Sequence, residues 1–208
     1  MLIRNSYMVI VLYRFLARSI LPLIGRFFKT PDQLTLLGFG IALIVPFGFY
    51  ADPIIGLLLI IVSGFFDMMD GVMAKEQNRQ TLFGALLDSS LDRASDLCYL
   101  IGFWILFWET GREILAAILI FIACLFTFMI SYIKARAEGL GGEIQKGFME
   151  RGIRTLYLIG WALLIAVFRN RTEVILWVGL ILFCVLTLIT VFQRFIEIRL
   201  RFMEGDSL

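Results

Sequence analysis

Asp67-Met-Met-Asp70-Gly71-Val-Met-Ala74-Lys75-Glu-Gln-Asn-Arg79-Gln-Thr-Leu-Phe-Gly84-Ala-Leu-Leu-Asp88-Ser-Ser-Leu-Asp92 sets four aspartates inside a chain that is otherwise largely lipid-like. Asp67 and Asp70 are three residues apart, and Asp88 and Asp92 are four apart. On a helix, each pair shares one face. Gly71 and Ala74 extend the first face, and Gly84 lies one turn before Asp88 on the second. Two such helices can approach closely and form a single acidic pocket.

Composition places that pocket in a membrane. The 208 residues are 60% hydrophobic and only 17% charged, with a mean hydropathy of +0.90. That excludes an ordinary water-soluble domain. A transmembrane helix needs about 20 apolar residues, and the chain has several such runs. The expected fold is an all-α integral membrane protein, with six transmembrane helices preceded by an amphipathic surface helix. Residues 1–208 read as one membrane domain, of which 1–30 form the juxtamembrane helix and 31–208 the six-helix bundle. Cys98, Cys124 and Cys184 lie in apolar runs without CxxC pairing and read as small buried hydrophobes. The chain has no histidine. Any metal site is therefore built from oxygen ligands, which suits Mg²⁺, Mn²⁺ or Ca²⁺ rather than zinc.

From residue 1 to about 28, the N-terminal segment has surface-helix character. At 100° per residue, Arg4, Arg14, Arg18 and Arg26 fall within about a third of the wheel. Pro22 and Gly25 kink or end it. A cleaved signal peptide is the competing reading, but the arginines are dispersed and no small-residue cleavage site follows a clean apolar core. Thr30-Pro31-Asp32-Gln33 then opens a helix, with Thr30 or Asp32 as its cap. The spans are expected at about 33–50, 53–74, 82–108, 113–132 (continuing as helix through Lys134 and Arg136), 155–168 and 173–195, with a charged tail beyond. Sixteen of the nineteen Lys and Arg residues fall in the N-terminal segment, the second and fourth connections or the tail. The positive-inside rule then puts both termini and the acidic stretch on the cytoplasmic face of a multi-pass protein.

An aspartate facing lipid at a helix centre costs about 2.5–3.5 kcal/mol, so these four are not expected to face lipid. Structural ion pairs with Lys75, Arg79 and Arg93 are the plain alternative. Three cations do not balance Asp67, Asp70, Asp88, Asp92, Asp96 and Glu76; divalent ions do. A carboxylate cluster with two bound metals orients a phosphorus centre and activates an incoming oxygen. Gly71, Ala74 and Gly84 remove bulk beside the site, and Lys75 adds a cation for phosphates.

The run Asp67-x2-Asp70-Gly71-x2-Ala74-Lys75-x8-Gly84-x3-Asp88-x3-Asp92 resembles the signature of the CDP-alcohol phosphotransferase family, D-x2-D-G-x2-A-R-x8-G-x3-D-x3-D. Seven of its eight fixed positions match, and Lys75 stands where the family has arginine. Lysine keeps the charge and loses the bidentate fork. The resemblance implies that Asp67, Asp70, Asp88 and Asp92 hold two divalent ions, Mg²⁺ or Mn²⁺, against the diphosphate of a CDP-linked lipid. It implies that Asp92 is also the general base on an acceptor hydroxyl, with CMP released. Gly71, Ala74, Lys75 and Gly84 would then border the CDP-lipid groove, with Asp32 and Thr35 closing its far side. It further implies a homodimer.

Ser131-Tyr-Ile-Lys134-Ala-Arg136-Ala-Glu138, followed by Glu150-Arg151-x2-Arg154, is similar to the inositol-phosphate branch of that family. A positive-inside loop is the plain alternative. The similarity makes Lys134, Arg151, Arg154 and Arg194 the expected ligands of the acceptor's phosphate. The acceptor would be inositol 1-phosphate, with glycerol 3-phosphate as second choice. From other classes, a divalent-cation transporter would want its acids near the membrane midplane, and a non-catalytic scaffold would not need them. The expected partners are thus a CDP-linked lipid, a phosphorylated polyol, the membrane and a second copy of the chain, with no nucleic acid.

Overall fold

The computed structural model describes residues 13–108, 110–142 and 147–205. Six long helices follow one another: α1 (Pro31–Ala51), α2 (Pro53–Glu76), α3 (Leu82–Ile105), α4 (Glu113–Gly139), α5 (Arg151–Val167) and α6 (Thr172–Gly205). No strand occurs among the described residues. α1, α2, α4 and α6 are long and apolar enough to cross a membrane. α3 and α5 are not, for two physical reasons. α3 carries Asp88, Asp92, Arg93 and Asp96. α5 has 17 residues, so it spans roughly 26 Å at 1.5 Å per residue, short of a hydrocarbon core of about 30 Å.

The N-terminus of α1 is fixed by Thr30 as N-cap, with Pro31 in the first turn. The Gln33 side-chain oxygen accepts from the backbone N–H groups of Lys29 (2.8 Å) and Thr30 (3.3 Å). Of the two caps expected from sequence, Thr30 is the one used, which leaves the Asp32 side chain for other work. Asp52 turns the chain into α2 and accepts from Ile54 N–H at 2.8 Å. The hairpin this makes is tight because its contact face is small. A Cβ on Gly48 would lie 3.2 Å from the Gly56 nitrogen, and one on Gly38 would lie 3.3 Å from the Ser63 carbonyl. Ser63 Oγ donates to the Gly38 carbonyl and shares a hydrogen bond with Tyr99 OH, both at 2.7 Å, tying α1, α2 and α3 together. Asn78, at φ 52°, reverses the chain after α2; asparagine tolerates that left-handed position.

The aromatic part of the core lies toward the end of the bundle away from the acids. Phe103 stacks on Trp161 at 4.0 Å and packs against Phe49 at 4.9 Å. Outward, large apolar side chains such as Phe47, Ile114 and Phe121 are exposed, as a lipid-facing surface requires.

Two sequence expectations are corrected here, and a third, the end of the N-terminal helix at Gly25, gains detail. The fifth helix starts at Arg151 rather than Thr155, so the arginine motif is its first turn. The charged tail is not a tail: α6 runs on to Gly205, supported by an i,i+4 pair between Glu197 and Arg201 at 3.1 Å. The N-terminal helix is interrupted, with a π-helical turn (Leu16–Ile20) followed by a short helix (Leu21–Ile24) that ends at Gly25. Leu16 is buried with Leu34, Met69, Val72 and Met73, while Arg14, Arg18 and Arg26 are exposed. Residues 1–12, including Arg4, lie outside the described residues.

Candidate active site

The last turns of α2 and the first turns of α3 meet at one end of the bundle, joined by the short 77–81 connection. Carboxylate oxygens from Asp67, Asp70 and Asp88 all come within 4.8 Å of one another. Asp70 is buried, and Asp67 and Asp88 are half-buried. Thr35, from the first turn of α1, donates its hydroxyl to Asp70 Oδ2 at 2.6 Å and so fixes that carboxylate. Three oxygen donors and no softer ligand fit a hard divalent cation. Asp92, expected as the fourth member, sits one turn further along α3 and pairs with Arg151.

Arg151 is the cation at the centre of this end. Its Nη2 contacts Asp67, and its Nη1 contacts Asp92 and lies 3.7 Å from Asp88. One turn along α5, Arg154 donates through Nε (3.2 Å) and Nη2 (2.8 Å) to Asp96 Oδ2, and through Nη1 to the Met149 carbonyl at 3.1 Å. The neutralising cations are thus supplied by α5 and not by the neighbouring residues named from sequence. Lys75 lies 5.7 Å from the centroid of the Tyr13 ring, while Tyr13 OH donates to Glu76 Oε1 at 2.9 Å. Arg79 donates to the Lys29 carbonyl at 2.6 Å.

Beside the acids opens a cavity of about 360 Å³, lined by Asp92, Arg93, Lys134, Arg151, Arg154 and Arg194 together with Ser89, Ile130, Ser131, Glu150 and Gly152. All four residues expected to bind an acceptor phosphate therefore share one cavity, in unequal states. Lys134 is exposed, with Glu138 at 3.8 Å. Arg154 is buried on Asp96. Arg194 is buried, donates through Nη1 to the Ile130 carbonyl, and has no hydrogen-bond partner for Nε among the described residues. Lys146, counted among the basic residues of this connection, lies outside the described residues.

The residues expected along the CDP-lipid groove divide. Gly71 is exposed, with open space where a Cβ would stand. Ala74 is half-buried and Lys75 exposed beside it. A Cβ on Gly84 would come 2.9 Å from Thr81 Oγ1 and 3.2 Å from Asp32 Oδ1, so Asp32 lies against Gly84. Thr35 serves Asp70 directly. Sequence reasoning missed Tyr13, the Thr35 hydroxyl's partner and the pairing of Arg154 with Asp96. One signal was available for the last: Arg151 and Arg154 are one turn apart, as are Asp92 and Asp96, so the two helices can pair in register.

Apolar-surfaced helices that carry a hard-cation carboxylate centre at one end, next to a basic cavity, define an integral membrane protein equipped for chemistry on phosphates. The acids stand on continuous helices, not on the broken helices that hold ions in a transporter. Residues 28–193 match the family model for CDP-alcohol phosphatidyltransferase, and the chain belongs to that family of enzymes. It is 32% identical over 181 residues to an archaetidylinositol phosphate synthase from Pyrococcus horikoshii, covering 85% of this chain and 87% of that one. Among solved structures it is similar to Mycobacterium tuberculosis phosphatidylinositol phosphate synthase. The form with CDP-DAG bound gives 31% identity and a TM-score of 0.68, covering 93% of this chain and 94% of that one. The complex with manganese and citrate gives 32% and 0.71, covering 88% and 87%.

Proposed function

We propose that this enzyme transfers the phosphatidyl or archaetidyl group of a CDP-linked lipid to a hydroxyl of inositol 1-phosphate, releasing CMP. The observation that carries this reading is the placement of Asp67, Asp70, Asp88 and Asp92 beside a cavity lined by Lys134, Arg151 and Arg194. The names of the relatives support the same acceptor class.

The residues divide the work. Asp67, Asp70 and Asp88, with Asp92, are the ligands for divalent ions, Mg²⁺ or Mn²⁺. Once bound, such ions neutralise the diphosphate and stabilise charge on the phosphate oxygens. Thr35 holds Asp70 in position for this. Asp92 lines the basic cavity and pairs with the same Arg151 as Asp67, which supports it as the base that takes the proton from the acceptor hydroxyl. That oxygen bonds to the lipid-side phosphorus as the bond from phosphorus to the CMP oxygen breaks. Lys134, Arg151 and Arg194 hold the acceptor phosphate and Arg154 shapes the cavity floor. Gly71, Ala74, Lys75 and Gly84, with Asp32, border the CDP-lipid.

The remaining parts of this reading concern setting. Residues 1–208 form one membrane domain, with residues 1–30 on the membrane surface. α3, despite its charges, and α5, despite its 17 residues, complete six spans, a reading supported by the burial of Asp96 and Arg154 between them. Sixteen of nineteen cations on one side put both termini and the site at the cytoplasmic face. A homodimer follows from the family resemblance. The test is CMP release from a CDP-lipid with myo-inositol 1-phosphate or glycerol 3-phosphate as acceptor. A clear preference for the first is expected, and a preference for the second would refute the acceptor assignment.

A further inference from the structure

Arg151 has two neighbourhoods. Its guanidinium touches Asp67 and Asp92 and lies 3.7 Å from Asp88, and its side chain also forms part of the wall of the basic cavity. Asp67 and Asp88 belong to the three-carboxylate group whose oxygens lie within 4.8 Å of one another. A divalent cation and Arg151 therefore draw on the same oxygens, and like charges at that range repel.

The surroundings let this side chain move. It is 27% exposed, and no other element comes within 4 Å of where a Cβ on the adjacent Gly152 would stand. Arg154, one turn away, is 4% exposed and held by three hydrogen bonds. Arg194 forms part of the same cavity wall, so a second guanidinium stands there for an anion. A guanidinium fork binds phosphate and carboxylate with the same two-point geometry. It can exchange one for the other.

Resting on the proposed function, we propose that Arg151 competes with divalent metal for the Asp67–Asp88–Asp92 carboxylates, and that a phosphate-bearing acceptor relieves this competition by drawing Arg151 into the cavity. Metal and acceptor then bind cooperatively, and the coupling is reciprocal. Arg151 is then a substrate-binding residue that also gates the metal ligands. It delays full metal loading until an acceptor has arrived, which limits attack by water on the activated lipid.

Mn²⁺ binding to the full-length protein, read from the electron paramagnetic resonance signal of free Mn²⁺, tests this without turnover or CDP-lipid. Saturating myo-inositol 1-phosphate is expected to tighten Mn²⁺ binding by about tenfold in the parent protein, within the usual range of coupling. Arg151→Gln is expected to bind Mn²⁺ tighter by a similar factor without acceptor, and to lose the response to acceptor. Arg151→Lys, which keeps the charge and loses the fork, is expected to stay near the parent in Mn²⁺ affinity without acceptor and to respond less to acceptor. An Arg151→Gln protein with parental or weaker Mn²⁺ affinity overturns the inference and leaves the proposed function standing. So does an acceptor response that survives in that variant, since it would come from phosphate meeting the metal directly. If the glutamine variant fails to fold, the parent alone decides: no mutual tightening between Mn²⁺ and inositol 1-phosphate overturns the inference. Absence of Mn²⁺ binding to any of these proteins overturns both readings.

Discussion

Arg151 and Arg154 stand one turn apart on α5, and each meets an acid on α3, Asp92 and Asp96, also one turn apart. The two rungs use the same chemistry in different surroundings. At the inner rung one guanidinium serves one carboxylate, and both side chains are 5% exposed or less. At the outer rung one guanidinium is shared among three carboxylates, and it lines a cavity together with one of them, Asp92. A sealed, matched pair fixes the angle between two helices. An open, over-subscribed one leaves negative charge for incoming cations, and the site is built there.

The largest expected effect separates the rungs by function. Asp92→Asn should lower turnover by about 10²- to 10⁴-fold, the usual contribution of a general base, while CDP-lipid binding and the melting temperature stay close to the parent. CMP release and equilibrium binding on one preparation check it, and unchanged turnover would remove Asp92 from the base role. The inner rung should behave in the opposite way. Asp96→Ala leaves Arg154 buried and unpaired, which destabilises by about 3–5 kcal/mol. A replacement of both partners by apolar residues of similar size should recover much of that loss in thermal unfolding. If Asp96→Ala unfolds like the parent, the two rungs are not different in kind.

What could be read beforehand follows the range of each contact. The acids were legible because their spacing along two helices already sets them on common faces, and the absence of histidine limits the ligand chemistry. The six helices were legible as apolar runs, though the starts and ends shifted wherever charge continued a helix, as at Arg151 and beyond Phe195. Contacts across many residues were not legible. Arg151 reaches Asp67 across 84 positions, Arg154 reaches Asp96 across 58, and Tyr13 reaches Glu76 across 63. The local cations Lys75 and Arg79, weighed only as the plain alternative for counter-charges, are turned by helix packing toward Tyr13 and the Lys29 carbonyl.

A third effect is intermediate and bears on the outer rung alone. Thr35→Val removes the hydroxyl that donates to Asp70. Loss of such a supporting hydrogen bond commonly weakens metal affinity by about 10- to 100-fold, so the variant should need more Mg²⁺ or Mn²⁺ for half-maximal CMP release. An unchanged metal requirement would mean that Asp70 is not a ligand.

The smallest effect lies at the other end of the bundle. There Asp52 pairs with Arg169 at 2.8 Å on the surface, and such exposed pairs contribute little. The Ile54 backbone N–H, and then the Arg169 guanidinium, hold the Asp52 carboxyl below the ordinary carboxylate range. A carboxyl with a lowered folded pKa stabilises the fold above its unfolded pKa and loses that contribution as pH falls through the folded value. Asp52→Asn should therefore melt slightly below the parent at neutral pH, and the gap should close in acid. Activity at neutral pH should not change.

The most direct test of the account is CMP release from a CDP-linked lipid by the purified enzyme in lipid vesicles, with metal and acceptor varied independently. The account predicts release only when a divalent cation and inositol 1-phosphate are both present, and none after chelation. CMP release that persists with chelator, or that ignores the phosphorylated acceptor, would contradict it.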